Sequence, residues 1–471
     1  MPLSPGNVLA EHATLSVRTL GILALREVEQ GASTRDAVHG LLADARPSHA
    51  DRALATEMVY GAERRRGSLD HLILRAAQRE ITRIDTLTRA ALRLGVYQLV
   101  WMPGVQDYAA VYETVAALKQ LGGQRSAGFA NAVLREVQRH RSEWWPPVEI
   151  EETYERLAVE YSYPSWLVRL WVDRFGLEQA RTLLEYGNQP PPLVLRVNRL
   201  RTTAIEALHV IKEQGNPAIQ VRLSNYLSEA LVLHGEQPDA LPGWDEGWYQ
   251  VQSESSQIAG RAVSPRAGER VLEIGAAPGG KTTQLAELMD DRGRLIANDV
   301  DRRRLMLVTE NAHRLGLSSV ETLACDARRL PPGHTGFDRV LIDAPCSGLG
   351  ILNRRPEARW RKRPGDSIKF AHLQGELLDA AAERLQSGGI LVYATCTLVP
   401  QENQEVVRAF LQRHPDFVYD DLAPFLPPPL RGEAMAGMLE ILPQRHGIDG
   451  FFIARMRRID SDTGTTRGGV L

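Results

Sequence analysis

The stretch ERVLEIGAAPGGKTTQL, residues 269–285, sets the expectation for the fold of the C-terminal half. A short apolar run ends in a loop of small residues, and a helix-like segment follows that loop. Small residues let the backbone approach a ligand closely, and the first turn of a helix presents unpaired N–H groups to that ligand. The pattern therefore predicts a strand, a ligand-binding loop and a helix.

Four more strand-like runs follow this one and alternate with amphipathic helical segments. The five predicted strands are ERVLEIG (269–275), GRLIAND (293–299), SVETLACD (319–326), FDRVLIDAP (337–345) and GGILVYATC (388–396). Strict alternation of strands and helices indicates a mostly parallel, Rossmann-like α/β sheet covered on both faces. Ligands bind at the carboxyl ends of the strands in such sheets, where polar and glycine-bearing loops stand here.

The chain upstream has a different pattern, so a multidomain protein is expected. Residues 1–145 place apolar side chains at helical spacing throughout and predict an all-α domain. Residues 146–250 predict a linker and a small α/β, RRM-like subdomain. The Rossmann-like domain is assigned to 251–460, and residues 461–471 are expected to be a disordered tail.

Composition excludes several classes of protein. The three cysteines among 471 residues are too few for a disulfide framework and favour a reducing compartment. No apolar run approaches the length of a membrane span, and the N-terminal residues lack a signal-peptide pattern, so a cytoplasmic protein is expected. The net charge of −2 does not indicate nucleic-acid binding, although it can hide a local basic surface. The arginine run 64–66 fits either a phosphate contact or, preferably, a solvated helix face.

The segment GAAPGGKT, residues 275–282, also fits the phosphate-binding pattern G-x-x-x-x-G-K-[ST]. Asp343 in VLIDA would then be its metal-binding acidic residue, so a nucleoside triphosphatase is the alternative from a different class. Asp299, 18 positions after Lys281, and Asp326 argue against it because both would repel phosphates. They suit a ribose hydroxyl pair and an adenine amino group, although each aspartate alone also fits a turn or helix cap.

Two of the three cysteines, Cys346 and Cys396, stand at neighbouring strand ends. A free cysteine is usually a small core residue, but the flanking Pro, Ser and Gly of Cys346 are typical of a loop. Zinc needs about four ligands, and no C-x-x-C pair exists. Thiolate chemistry remains, as in methylation at C5 of a cytosine, where a thiolate added at C6 makes C5 nucleophilic.

In that chemistry Asp343, in its protonated state, is the natural donor to N3 of the base. Cys346 could assist release, and Lys281 could stabilise the thiolate or orient Asp343. The base must leave any stack before it is attacked, so an unpaired RNA nucleotide is the cheapest target.

At these residues the chain resembles the RNA cytosine-5 methyltransferases of the Nol1/Nop2/Sun family. The resemblance rests on LEIGAAPGGKTTQL, DAPCSGLG, YATCTLVPQEN and DGFFIA, which stand in the family's order. It implies S-adenosylmethionine as cofactor, Cys396 as nucleophile and Cys346 as release cysteine. The implied cofactor contacts are Gly275, Ala276, Ala277, Pro278, Gly279, Gly280, Lys281, Asp299, Asp326 and Asp343.

The upstream segments extend the resemblance. YAAVYETVAALKQL and FANAVLREVQ are similar to a NusB-type RNA-binding helical domain, the arrangement found in the family's bacterial 16S rRNA branch. Beside Cys346, the basic stretch 353–369 is interpreted as an RNA-backbone contact, with Trp360 available for stacking or packing. The expected partner is 16S rRNA, with no metal and no membrane, and the protein is expected to be a monomer.

Two further alternatives stay open from the sequence. The methylated nucleotide could lie in a tRNA or another RNA. The chain could also be a non-catalytic RNA-binding assembly factor that kept the fold.

Overall fold

The computed structural model describes residues 15–45, 47–216, 219–234 and 238–459. The expected disordered tail, 461–471, lies outside these residues. The chain divides into two compact units, of which the first ends at Pro190 and also includes Leu352–Arg363. The second unit comprises Pro191–Ile351 and the chain from Pro364 onward. The division lies later than residue 145 because three more helices follow the expected boundary.

The first unit is helical. Its helices are α1 Val17–Glu29, α2 Thr34–Ala45, α3 His49–Arg64, α4 Arg66–Ala77, α5 Thr86–Trp101, α6 Asp107–Gln120, α7 Gln124–Trp144, α8 Thr153–Tyr161, α9 Ser165–Phe175 and α10 Leu177–Tyr186. Ser16, Ser48 and Asp85 each accept a backbone N–H at the start of a helix, which satisfies a donor that the helix leaves unpaired. Helix α5 is buried from Ala90 to Leu99 and forms the centre of the apolar core. In the described part of the chain, no helix is both long and apolar enough to cross a bilayer.

The segment Leu352–Arg363 packs inside this helical unit. Arg359 is fully buried, and its guanidinium donates to the carbonyl oxygens of Arg64 (3.0 Å) and Ser162 (3.2 Å). The same group donates to Oδ1 of Asn188 at 2.7 Å. Burial lowers the pKa of Arg359 to about 10. The interpretation of Arg359 as an RNA-backbone contact is therefore wrong, since its side chain is fully buried and its terminal nitrogens donate to groups of the same helical unit.

Two neighbouring expectations change for the same reason. Trp360 is half-buried against Gly67, where an added Cβ would come within 2.6 Å of the indole ring, so Trp360 serves packing. Arg64 is buried and donates to the carbonyl oxygen of Asn353 at 3.3 Å. Arg65 donates to the carbonyl oxygen of Glu160 at 3.2 Å. For these two arginines, neither a solvated face nor a phosphate contact describes the structure.

The second unit begins with a small α/β subdomain. Its elements are β1 Leu193–Val197, α11 Ala204–Gln214, β2 Gln220–Leu223, β3 Ala230–His234 and β4 Tyr249–Val251. The strands form an antiparallel sheet in the order β2-β3-β1-β4. Thr203 and Glu206 form a reciprocal capping box that starts α11. This sheet confirms the small α/β subdomain expected from the sequence.

The larger sheet carries the Rossmann-like part of the unit. Its elements are α12 Glu254–Val263, β5 Arg270–Ile274, α13 Gly280–Leu288, β6 Arg294–Asp299, α14 Arg302–Leu315, β7 Val320–Ala324, β8 Phe337–Asp343, α15 Asp366–Ala382, β9 Leu385–Thr395, α16 Gln404–Arg413, β10 Phe417–Tyr419, β11 Met438–Ile441, α17 Pro443–His446 and β12 Phe451–Arg458. The strand order is β10-β12-β9-β8-β5-β6-β7, and β11 pairs with β12.

Strands β5 to β9 are parallel, as the sequence predicts, whereas β12 is antiparallel to β9. Strands β5, β6, β8 and β9 are largely buried and therefore read as mostly apolar runs, whereas β7, at the edge of the sheet, is largely exposed. Because these strands share a direction, their carboxyl ends meet at one edge. The glycine loop, Asp299, Asp326, Asp343 and both cysteines follow those ends.

Candidate active site

The loop between β5 and α13 has a backbone that few side chains would permit. Gly275 has a φ of +79°, and a Cβ on it would lie 2.3 Å from the carbonyl oxygen of Asp343. Gly279 has a φ of +102°. The backbone N–H groups of Gly275 and Ala276 both donate to the carbonyl oxygen of Asn298, at 2.9 and 3.0 Å. The loop is thus fixed against β6 and β8, and small residues line it at the start of α13.

Lys281 is buried one residue after the start of α13, and its Nζ donates to Oδ2 of Asp343 at 2.7 Å. Burial acts to lower the pKa of Lys281, but the facing Asp343 carboxylate, then Glu273 and Cys396, outweigh it and raise that pKa. The ammonium also lies 5.4 Å from the ring centre of Phe451. Lys281 thus fixes the position of the Asp343 side chain, in agreement with the orienting role considered from the sequence.

A second carboxyl group, Glu273, lies beneath this ion pair. Its side chain is buried and accepts a hydrogen bond from Oγ1 of Thr282 at 2.6 Å. Burial raises the pKa of Glu273 to about 8, although Thr282 and Lys281 oppose the shift. The pocket beneath the loop therefore favours the neutral carboxyl form at moderate pH.

Asp299, the last residue of β6, holds the loop and the next turn together. Its carboxylate accepts from the N–H of Ala277 at 3.2 Å and from the N–H of Asp301 at 2.9 Å. A carboxylate has about four acceptor positions, so these two bonds leave capacity for a pair of hydroxyl donors. The arrangement is compatible with both the turn role and the ribose role considered from the sequence.

Asp326 follows β7 and is more exposed. Its carboxylate accepts from the backbone N–H of Arg328 at 3.0 Å and from the guanidinium of that residue at 2.7 Å. This hydrogen bonding with Arg328 lowers the pKa of Asp326 despite opposing desolvation. The structure gives Asp326 a capping role, and a contact with an adenine amino group would use its remaining acceptor positions.

The sulfur atoms of Cys346 and Cys396 lie 3.3 Å apart. Cys396 directly follows β9, and Cys346 lies three residues beyond the end of β8. The hydrogen bond to Cys396, followed by burial, raises the pKa of Cys346 well above its usual value. Cys346 is thereby favoured as the thiol partner of the pair. The third cysteine, Cys325, lies elsewhere, with its sulfur 3.3 Å from Nδ2 of Asn298.

Hydrogen bonds between their loops hold the two cysteines in place. The hydroxyl groups of Ser347 and Thr397, the residues after each cysteine, share a buried hydrogen bond of 2.7 Å. The N–H of Gly350 donates to the carbonyl oxygen of Cys396 at 2.9 Å. Sequence reasoning missed these contacts, and the signal was a hydroxyl residue after each cysteine.

The strand order places these groups in a line. Across β9, β8, β5, β6 and β7 stand, in turn, Cys396, Cys346 with Asp343, the glycine loop, Asp299 and Asp326. Neighbouring strands are about 4.8 Å apart, so Asp326 lies roughly 14 Å beyond β8. Such a row can hold an extended adenosine ligand with its reactive end toward the cysteines. Among the described residues, no cluster of three or more His, Cys, Asp or Glu side chains could hold a metal ion.

Family models match three parts of the chain. The model for 16S rRNA methyltransferase RsmB/F matches residues 261–457, the NusB family matches 15–139, and a Methyltr_RsmF/B-like ferredoxin-like domain matches 163–238. The chain is 36% identical to the probable ribosomal RNA small subunit methyltransferase B of Bacillus subtilis, over 94% of this chain and 99% of the relative. The chain belongs to the RsmB/F family of 16S rRNA methyltransferases.

Other comparisons agree with this membership. A ribosomal RNA small subunit methyltransferase B from Escherichia coli is 34% identical, over 94% of this RsmB/F-family chain and 98% of the relative. The solved structure of PH0851 matches with a TM-score of 0.81 and 27% identity, and covers 94% of this chain and 99% of its own. A methyltransferase homologue from Pyrococcus horikoshii matches with a TM-score of 0.55 and 30% identity, over 66% of this chain and 100% of its own.

This RsmB/F-family chain is thus an S-adenosylmethionine-dependent RNA methyltransferase. Family membership sets aside both the nucleoside triphosphatase and the non-catalytic assembly factor. The backbone of the glycine loop would be strained by side chains at positions 275 and 279.

Proposed function

We propose that this RsmB/F-family enzyme methylates C5 of a cytosine in 16S rRNA through a covalent bond between Cys396 and C6 of the base. The observation that carries the proposal is the 3.3 Å separation of the sulfurs of Cys346 and Cys396 beside the Lys281–Asp343 pair. Methylation at nitrogen or at a ribose hydroxyl needs no thiol. A pair of thiols at adjoining strand ends suits a carbon nucleophile that must be activated covalently.

The first step is attack of the Cys396 thiolate on C6. A sulfur lone pair forms the S–C6 bond, the C5–C6 π pair becomes a C4–C5 double bond, and the former C4–N3 π pair moves onto N3. N3 takes a proton, and C5 becomes an enamine carbon.

Bound S-adenosylmethionine supplies a methyl group on a positively charged sulfur. C5 would take that methyl group with the enamine electron pair while the methyl–sulfur bond breaks with its electrons on the donor sulfur, which leaves as a neutral thioether. N3 returns its proton as the C4–N3 double bond forms again.

The Lys281–Asp343 pair is proposed as the source of the N3 proton. As negative charge develops on N3, a proton can move from Nζ of Lys281 to Oδ2 of Asp343 across 2.7 Å and on to the base. This route gives Asp343 a proton only during the reaction. The resting hydrogen bond from Lys281 to Asp343 is therefore compatible with a donor role for Asp343.

Release of the product needs a second proton transfer. The C5 proton moves to the sulfur of Cys346, the C5–H electron pair forms the C5–C6 double bond, and the C6–S bond breaks with its electrons on Cys396. Cys346 passes its own proton to the departing sulfur, which lies 3.3 Å away. Loss of one proton from Cys396 to solvent restores the starting state.

The remaining predicted residues are proposed as cofactor contacts. The backbone from Gly275 to Lys281 would face the methionine part, Asp299 would accept from the ribose hydroxyls, and Asp326 would accept from the adenine amino group. Their order along the sheet edge supports this assignment. Placing the adenine at β7 directs the donor sulfur toward β8 and β9, where the cysteines lie.

The RNA substrate is proposed from the family and from the helical unit. The relatives in Bacillus subtilis and Escherichia coli are named as ribosomal RNA small subunit methyltransferases. Residues 15–139 match the NusB family, which supports RNA binding by this unit. Because C6 must be reached from the face of the ring, an unstacked and unpaired cytosine is the expected target.

The test is methyl transfer from labelled S-adenosylmethionine to 16S rRNA, followed by digestion and identification of the labelled nucleoside. We expect label in 5-methylcytidine and no label with Cys396→Ala. Label in any other nucleoside would contradict the proposed chemistry. Label in 5-methylcytidine from tRNA but none from 16S rRNA would contradict the proposed substrate.

A further inference from the structure

The structure assigns Arg196, on β1 of the small α/β subdomain, a positioning role in S-adenosylmethionine binding, because its guanidinium anchors the first turn of α13. Nothing in the sequence of this subdomain indicates a part in cofactor binding. The inference rests on the proposed contact between the backbone of residues 275–281 and the methionine part of the cofactor. It deepens that assignment by naming the side chain that holds this backbone in place.

Arg196 is fully buried, and its guanidinium bonds to one side of α13. Its Nη1 donates to the carbonyl oxygen of Gly280, the first residue of the helix, at 2.6 Å. Its Nη2 donates to Oγ1 of Thr283 at 3.0 Å and to Oε1 of Glu287 at 2.6 Å. Gly280, Thr283 and Glu287 stand at positions i, i+3 and i+7, which share one side of a helix. A single planar group on β1 therefore fixes the start of α13 and the turns that follow.

A second side chain from the same sheet supports this anchor. Gln252, the residue after β4, donates its N–H to the carbonyl oxygen of Val194 on β1 at 3.0 Å. The Oε1 of Gln252 accepts from Nη1 of Arg196, and its Nε2 donates to Oε1 of Gln284 on α13 at 2.8 Å. Two neighbouring strands of the small subdomain thus both place a buried side chain on α13.

The loop that leads into α13 depends on outside contacts for its conformation. It contains two glycines with positive φ, and glycine restricts its own backbone less than any other residue. The carbonyl oxygens of Ala277 and Pro278 accept hydrogen bonds from side chains of α14, at 2.6 and 3.1 Å. Arg196 does the same for Gly280. Side chains of neighbouring elements therefore hold three carbonyl groups of the cofactor loop, and the small subdomain supplies one of them.

The bond to Gly280 fixes the direction of a backbone donor. The carbonyl group of Gly280 and the N–H group of Lys281 belong to one planar peptide and point in opposite directions. The first N–H groups of a helix have no partner within the helix and suit an anion such as the carboxylate of a methionine moiety. Arg196 keeps the N–H of Lys281 oriented for that contact before the cofactor arrives. A backbone that is already ordered loses less conformational entropy on binding, so the cofactor binds more tightly.

A buried ion pair that serves stability alone is the alternative, and a second pair in the same unit provides the comparison. Arg339, which is also buried, donates to both carboxylate oxygens of Glu269, at 2.9 and 3.0 Å. This pair lies near the amino ends of β8 and β5, whereas the cofactor loop lies at the carboxyl end of β5. Replacing both partners of a buried pair by apolar side chains leaves no unpaired charge and is often tolerated.

The experiment compares the wild type with Arg196→Met/Glu287→Leu, Arg196→Lys and the matched control Arg339→Met/Glu269→Leu. Calorimetric titration without RNA measures the affinity for S-adenosylmethionine and for S-adenosylhomocysteine. Thermal unfolding measures stability. Single-turnover methyl transfer to 16S rRNA separates the KM for the cofactor from the rate at saturating cofactor.

We expect Arg196→Met/Glu287→Leu to bind both cofactor forms about tenfold more weakly, because the first turn of α13 loses its anchor. The rate at saturating cofactor should stay within about threefold of the wild-type rate, since Nζ of Lys281 keeps its own bond to Asp343. The control Arg339→Met/Glu269→Leu should bind with wild-type affinity, whatever its change in Tm. Wild-type affinity in the Arg196 variant, or an equal loss of affinity in both double variants, would overturn the role.

Arg196→Lys keeps a cation beside Glu287 and serves if the double variant does not fold. One ammonium cannot replace the planar donors that reach Gly280, Thr283 and Glu287 together, so its cofactor affinity should also fall. Wild-type affinity in Arg196→Lys would contradict the anchoring role.

Gly279→Ala separates failure of this inference from failure of the proposed cofactor contacts. Its added side chain strains the loop directly, because Gly279 has a φ of +102°. If Gly279→Ala binds S-adenosylmethionine with wild-type affinity, the proposed contact with the loop fails. If Gly279→Ala weakens binding but Arg196→Met/Glu287→Leu does not, only the role of Arg196 is overturned.

Discussion

Two neighbouring segments of this chain, residues 343–350 and 352–363, each bury a reactive or charged side chain. The two buried groups differ in the kind of partner that surrounds them. In the first, the thiol of Cys346 lies against the sulfur of Cys396, and this hydrogen bond, followed by burial, raises the pKa of Cys346 above its ordinary value. In the second, Arg359 donates to oxygens supplied by its own helical unit. The difference teaches that burial next to a catalytic motif does not itself indicate function. What matters is whether the partners keep the buried group able to react or engage it in hydrogen bonds that hold the fold together.

The largest expected effect concerns Cys396, whose sulfur lies against that of Cys346 in the first segment. Cys396→Ala should lower methyl transfer to less than about one-thousandth of the wild-type rate, since no other group can add to C6. Thermal unfolding should change little, because the substitution removes a single sulfur from a half-buried site. A single-turnover assay measures the rate, and retention of more than a few per cent of the activity would contradict the account.

Substitution of Cys346 separates formation of the covalent adduct from its release. Cys346→Ala should form the adduct but release it slowly, so multiple-turnover activity should fall by roughly a hundredfold. Denaturing electrophoresis with labelled RNA measures the trapped species. An adduct trapped by Cys396→Ala in place of Cys346→Ala would reverse the two roles.

Substitution of the buried arginine in the second segment, residues 352–363, should change the stability of the protein. Arg359→Ala should lower the free energy of unfolding by about 3 kcal/mol, because buried carbonyl oxygens lose their donors. The exposed Arg355 on the same segment offers a matched control, and Arg355→Ala should change stability by less than about 0.5 kcal/mol. Chemical denaturation measures both variants. Equal stability of the two would break the distinction between the segments.

Glu273→Gln tests the buried carboxyl group beneath the glycine loop. The folded pKa of Glu273, about 8, lies above its value in the unfolded chain. Its contribution to stability is therefore fully present below the unfolded pKa and is lost as pH rises through about 8. Relative to Glu273→Gln, the wild type should lose roughly 4 °C or more in Tm between pH 5 and pH 8.5. A constant difference across that range would show that Glu273 is not held neutral.

The smallest expected effect is on cofactor affinity. Asp299→Asn should raise the KM for S-adenosylmethionine by roughly tenfold, because an amide is a weaker acceptor for ribose hydroxyls than a carboxylate. The single-turnover rate at saturating cofactor should stay near the wild-type value. Calorimetric titration gives the affinity directly, and unchanged affinity would remove Asp299 from the proposed contacts.

Much of the fold was predictable from the sequence, since apolar periodicity and the positions of loops are local properties. The five parallel strands follow from alternating patterns that the structure confirms. The surroundings of the arginines in the basic stretch 353–369 were not predictable from the sequence. Whether Arg359 meets solvent or the carbonyl oxygens of Arg64 and Ser162 depends on contacts some 200 to 300 positions away.

The same distinction, between local sequence patterns and contacts of distant residues, applies to the site. Cysteines at two strand ends could be assigned to one edge because parallel strands end together, but their 3.3 Å contact needed coordinates. The roles of Ser347 and Thr397 were missed because each is an ordinary polar residue until its hydrogen-bond partner is known. The hydrogen bond between Lys281 and Asp343 likewise depends on where the side chain of Lys281 ends.

The most direct test of the account uses 16S rRNA in which 5-fluorocytosine replaces cytosine, together with S-adenosylmethionine. Fluorine at C5 cannot leave as a proton does, so the covalent species should persist after methyl transfer. We predict a stable protein–RNA adduct whose peptide map places the base on Cys396. Methylation of ordinary 16S rRNA without such an adduct, or an adduct mapped to Cys346, would contradict the central claim.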